Sequence, residues 1–126
     1  MRYLKIEEVL EINAMVMGGR HVLRDLGLLE SAVARPQASA FGADAYPDIV
    51  SKAAALLHSL VLNHAFVDGN KRTAVLATVV FLDLNGWGVR WDQAEALDLI
   101  LRLADHRAEL GDVIAFLHKS SHVRDT

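Results

Sequence analysis

The stretch His64-Ala65-Phe66-Val67-Asp68-Gly69-Asn70-Lys71-Arg72-Thr73 decides how the rest of the chain is read, because it separates two apolar segments. Upstream, Asp48 to Asn63 carries Ile49, Val50, Ala53, Ala54, Leu56, Leu57, Leu60 and Val61. These positions cover more than one helical face, so a central helix buried nearly all round is expected. Downstream, Lys71 to Leu84 is expected to form a second helix, packed through Val75, Leu76, Val79, Val80 and Leu82 and closed by Asn85-Gly86. A connection inside a hydrophobic core is ordinarily short and chemically bland. This one gathers a histidine, a carboxylate, an amide and two cations within nine residues, His64 to Arg72.

Each residue type suggests a task. Phe66 is expected to pin the loop to the core, and Gly69 permits the positive backbone angles of a sharp turn. Asn70 is expected to cap the helix beginning at Lys71. The cations run against the usual order, since a helix N-terminus carries partial positive charge and favours acidic residues. The conflict disappears if an anion sits there, held by backbone N–H groups, the helix dipole and both side chains. Arg72 suits a bidentate grip on phosphate, and Lys71 supplies a mobile point charge. Asp68 beside a phosphate is suited to hold Mg²⁺ through one oxygen. Histidine is the side chain type suited to general-base work near neutral pH, so His64 is a candidate to accept a proton from an attacking hydroxyl. Taken one at a time, these residues read as a cap, a turn and a solvated pair. Their combination between two buried helices reads as a phosphate cradle, a metal ligand and a base, with substrate and reaction still unspecified.

Outward from the loop, periodicity suggests about six helices. The first runs from about Lys5 to Met17, with Ile6, Val9, Leu10, Ala14 and Met17 on one face, and ends at Gly18-Gly19. A second starts near Leu28 and is disturbed at Pro36. Ala38 to Asp48, containing Gly42 and Pro47, reads as an irregular loop or short hairpin. Helices near Gln93–Ala104 and Leu110–Lys119 complete the chain, with Trp87 and Trp91 as packing residues.

The bulk composition fits one all-α domain spanning residues 1–126. Hydrophobic residues make up 52% of the chain and it has only two prolines, which favours a compact helical core over disorder. The absence of cysteine excludes thiolate zinc sites, disulfide scaffolds and a cysteine nucleophile. A net charge of −3 gives no basic footprint for nucleic acid. No apolar run approaches the ~20 residues of a membrane span, and charge precedes any signal-like stretch at the N-terminus, so a cytoplasmic protein is expected.

The motif resembles that of the Fic/Doc family, roughly H-x-F-x-[D/E]-G-N-[G/K]-R, which His64, Phe66, Asp68, Gly69, Asn70, Lys71 and Arg72 fill in register. The resemblance extends to Leu23-Arg24-Asp25-Leu26-Gly27-Leu28-Leu29-Glu30-Ser31-Ala32-Val33-Ala34-Arg35-Pro36, which is similar to the N-terminal half of Doc-type proteins. It implies a compact Fic-type helical bundle with the active loop between two central buried helices. It also implies a flap, here about Ala38 to Asp48, that aligns a target segment as a strand. Lysine at position 71, where Fic proteins have a second glycine, implies a Doc-type toxin that phosphorylates a protein Ser or Thr. The donor would be Mg·ATP, the target elongation factor Tu, and the consequence arrest of translation. By the same resemblance His64 is the base, Asp68 the Mg²⁺ ligand, and Gly69, Asn70, Lys71 and Arg72 hold the nucleotide's phosphates, with a Phd-type antitoxin as partner. Two positions depart from the Doc pattern: Ala65 stands where proline is frequent, and Gly69 is the Fic-like choice where some Doc members carry alanine.

Three rival readings follow from the same residues. AMP transfer uses the same site, with Lys71 alone arguing against it. A non-catalytic antitoxin-binding and co-repressing module would need only the surface. A ribonuclease could draw on Arg102 and His106, one helical turn apart, although Asp105, Arg107 and Glu109 make a solvated face the simpler account.

Overall fold

The computed structural model describes residues 1–124. Six helices follow in order: α1 (Ile6–Val16), α2 (Leu26–Ala34), α3 (Ile49–Asn63), α4 (Asn70–Leu84), α5 (Gln93–Ala104) and α6 (Leu110–Ser120). Two short antiparallel strand pairs accompany them, β1 (Ser39–Ala40) with β2 (Ala43–Asp44) and β3 (Trp87–Val89) with β4 (Ser121–Val123). The fold is the expected helical bundle. The β3–β4 pair is an addition that periodicity does not reveal, because three-residue strands carry no usable pattern.

α3 is the central element and packs against α2, α4, α5 and α6. It is buried on nearly every side, as its composition predicts. Asp48 starts it by accepting a hydrogen bond from the Ser51 N–H at 2.7 Å, while the Ser51 hydroxyl accepts from the Asp48 N–H at 3.2 Å. One charge lies inside this helix. Lys52 is 3% exposed, and its Nζ donates to the Pro36 carbonyl at 3.2 Å and to Asp44 Oδ2 at 3.3 Å.

α4 centres its inward face differently from the expectation: Leu82 is buried as expected, and Val75, Leu76 and Val80 pack against the core only at its margin. Thr73, Ala74, Ala77, Thr78, Phe81 and Leu82 are its buried positions, whereas Val75, Leu76, Val79 and Val80 are only half-buried. α4 lies between α1 and α3, and its close packing there buries Ala74 and Ala77 together with Thr73 and Thr78. Val75 and Val79, with Leu76, Trp91 and Ile100, line an open apolar groove of about 360 Å³ between α4 and α5.

The 38–48 segment resolves into the hairpin β1–β2, turned at Phe41 and Gly42, both with positive φ (53° and 78°). That conformation matches the twist of a two-residue hairpin loop. Pro36 does not break the chain after α2 but shapes a 3-10 turn, Arg35–Gln37. From that turn Arg35 reaches three partners: Nε donates to the Tyr46 hydroxyl at 2.8 Å, and Nη1 meets His58 Nδ1 at 2.7 Å and the Ser59 hydroxyl at 2.9 Å. Arg35 and Lys52 therefore tie the chain at Tyr46 and Asp44, where it leaves the hairpin, to α3.

Candidate active site

α3 stops at His64, which adopts the left-handed conformation (φ 50°, ψ 48°). A non-glycine residue there is uncommon and must be held by its surroundings. The holding is done by the strap that precedes α2. Leu23 bridges antiparallel to Phe66, the Arg24 and Asp25 N–H groups both donate to the Ala65 carbonyl (2.8 and 3.0 Å), and the Val67 N–H donates to the Val22 carbonyl at 2.9 Å. Phe66 is 2% exposed and anchors the loop in the core as expected.

The second half of the loop is braced from inside. The Asn70 side-chain amide accepts from the Phe66 N–H at 3.0 Å and donates to the Phe66 carbonyl at 2.8 Å. Asn70 is thus the first residue of α4 rather than its cap; Gly69, left-handed at φ 75°, is the capping position. Asp68 folds back, its Oδ1 accepting from the Gly69 N–H at 2.7 Å. The first backbone bond within α4 is Thr73 N–H to the Gly69 carbonyl, so the Asn70, Lys71 and Arg72 N–H groups lie ahead of it in the first turn.

One cavity of about 420 Å³ is lined by His64, Val67, Asp68, Gly69, Asn70, Lys71, Arg72 and Leu97. Six of the seven motif residues face it; the seventh, Phe66, is the anchor below. His64, Asp68, Lys71 and Arg72 are exposed there. The Arg72 guanidinium also touches the end of α1, with Nη1 donating to the Val16 carbonyl at 3.3 Å. Part of the excess charge at the start of α4 is therefore answered by the negative end of another helix, a partner that linear sequence cannot show.

Among the described residues no group of three or more His, Cys, Asp or Glu side chains could hold a metal unaided. Magnesium does not need one, since a single carboxylate oxygen, waters and substrate phosphates complete its octahedron. Asp68 fits that role, with Oδ1 committed to Gly69 and its side chain open to the cavity.

Residues 3–82 match the sequence model of the Fic/DOC family, which covers both halves of this site. The chain belongs to the Fic/DOC family. Two relatives of the Doc type are similar to it over most of their length. The chain is 48% identical over 117 residues to Toxin Doc of Mycolicibacterium smegmatis, spanning 91% of this chain and 90% of that protein. It is 30% identical over 122 residues to Protein kinase doc of Escherichia phage P1, spanning 94% of this chain and 95% of that one. The protein is a Doc-type toxin by these likenesses.

The Doc-type site uses one residue that sequence reading passed over. Asn13 is fully buried on α1, where its Nδ2 donates to the Asp68 carbonyl at 3.2 Å and to the Thr73 hydroxyl at 3.0 Å, and its Oδ1 accepts from the Val22 N–H at 3.3 Å. It joins α1, the strap, the loop and α4. Its signal was an amide on the otherwise apolar face of α1. The ribonuclease pair, by contrast, is not assembled: Arg102 pairs with Asp98 at 2.9 Å, and His106 lies beyond the end of α5 at φ 60°. No helix among the described residues is long and apolar enough to cross a membrane.

Proposed function

We propose that this Doc-type toxin is a Mg·ATP-dependent protein Ser/Thr kinase that phosphorylates a translation factor, elongation factor Tu, and so halts translation. The observation that carries the reading is the single cavity that collects His64, Asp68 and the first turn of α4 with Lys71 and Arg72. The relative named a protein kinase supports the γ-phosphate as the group transferred. His64 accepts the proton of the acceptor hydroxyl as its oxygen attacks the γ-phosphorus; the bond to the β–γ bridging oxygen breaks and ADP leaves. Asp68 holds Mg²⁺, which when bound neutralises charge on the phosphates. The Asn70, Lys71 and Arg72 N–H groups and the two cationic side chains take the remaining charge, and phosphoryl transfer depends chiefly on such positioning and stabilisation. Lys71 fills the space that glycine would leave for one end of the phosphate chain, turning the nucleotide so that its γ end meets the acceptor. A Phd-type antitoxin is the expected partner, in the cytoplasm.

Incubation of the protein with Mg²⁺, elongation factor Tu and ATP labelled at the α- or the γ-phosphate tests this reading. Label from γ alone, lost in His64→Ala, is the expected result. Label from α makes the protein an AMP transferase. No transfer from either leaves it a module that acts through binding.

A further inference from the structure

The end of α3 is closed in an unusual way. A helix leaves its last carbonyls without intrahelical partners, and a left-handed residue at the end ordinarily lets the following N–H groups bond back to them. Beyond this turn the Phe66 N–H is spent on Asn70 Oδ1 and the Val67 N–H on the Val22 carbonyl, so neither turns back to the last carbonyls of α3. The Arg24 side chain takes their place. Its Nε donates to the His64 carbonyl at 2.6 Å and its Nη2 to the Asn63 carbonyl at 3.2 Å. None of the ion pairs among the described residues involves Arg24. Its charge therefore faces the negative end of a 15-residue helix, and its planar fork matches two successive carbonyls.

We infer that Arg24 is a positioning residue for His64: it caps α3 from outside, holds the left-handed turn, and thereby sets the direction of the imidazole in the cavity. Arg24 is itself fixed, because its N–H and that of Asp25 share the Ala65 carbonyl. Asp25 then caps α2 by accepting from the Leu28 N–H at 3.0 Å, and the Leu28 carbonyl accepts from Asn63 Nδ2 at 3.0 Å. The chain of contacts closes on α3 where it began. A lysine at position 24 has the charge but not the fork, and so meets one carbonyl at a time.

The kinetic part of the test rests on the kinase reading, and the spectroscopic part does not. Arg24→Gln and Arg24→Lys are compared with the unaltered protein in γ-label transfer and in imidazole resonances followed across a pH titration, with His64 assigned from the His64→Ala spectrum. Misplacement of a reacting group by about 1 Å costs roughly a hundredfold. The expected result for Arg24→Gln is a kcat lower by about tenfold to a hundredfold, with KM for ATP and for the protein substrate unchanged. Arg24→Lys recovers part of the loss. The His64 resonance and its titration move in Arg24→Gln, while those of His21 and His118 stay in place. An Arg24→Gln protein, folded by circular dichroism, that keeps both kcat and the His64 resonance overturns the inference. So does loss of activity in which KM rises and kcat does not fall. If the unaltered protein transfers no γ label, the kinase reading fails alone, and the His64 resonance decides the role of Arg24.

Discussion

The side chain of Asn70 closes twice on the backbone of Phe66, accepting from its N–H at 3.0 Å and donating to its carbonyl at 2.8 Å. The amide is thereby consumed in shaping the loop, and what Asn70 offers to an anion is its backbone N–H in the first turn of α4. Asn70→Ala leaves both Phe66 groups unpaired next to a buried ring, at about 1–3 kcal/mol each. The expected outcome is a lower unfolding midpoint together with transfer activity reduced by about a hundredfold. Asn70→Asp keeps the acceptor and loses the donor, so it should fall between. Thermal unfolding and labelled transfer, measured on the same preparations, check the order.

Glycine at position 69 is favoured in this chain for two separate reasons. Its φ is +75°, and a Cβ there would stand 2.8 Å from Met17 Sδ and 3.2 Å from Val16 Cγ1. Gly69→Ala should therefore destabilise by about 1–2 kcal/mol from backbone strain, with a steric contribution added. Met17→Ala in the same chain should recover only the steric part due to Met17, since the contact with Val16 and the backbone strain both remain. Denaturant titration of the single and double variants separates the two.

His58 gives the protein a pH dependence of known sign. Burial, and then the Arg35 guanidinium beside it, hold its pKa below the ordinary 6.5. The unfolded chain thus binds a proton more readily than the folded one, and stability rises with pH between the folded and unfolded values. This contribution is complete above about pH 6.5 and is lost as the pH falls below it toward the depressed folded pKa. Protonation also costs the acceptor at Nδ1 that Arg35 uses. Melting curves from pH 7.5 downward should show a decline steeper in the natural chain than in His58→Gln.

Lys71→Gly tests what turns the nucleotide. Under the kinase reading, removing the side chain should lower γ transfer and open α transfer, seen as AMP-modified protein by mass spectrometry. Exclusive γ transfer by Lys71→Gly would show that other residues set the direction.

The chain's own pattern determined the helical class, the near-total burial of α3 and the membership of His64, Asp68, Gly69, Asn70, Lys71 and Arg72 in one site. Each of these depends on spacing along the chain: a helical period, or a loop short enough that its residues have to be neighbours. Tertiary structure alone decided which face of α4 turns inward, because that depends on how closely α1 and α3 approach it. It also decided that Asn70 braces the loop instead of capping the helix. Asn13 and Arg24 belong to the same class, since they act on the loop from 55 and 40 residues away. An isolated amide or guanidinium has no period, and its partner is a backbone group that every residue carries. Only folding brings that group within hydrogen-bond distance.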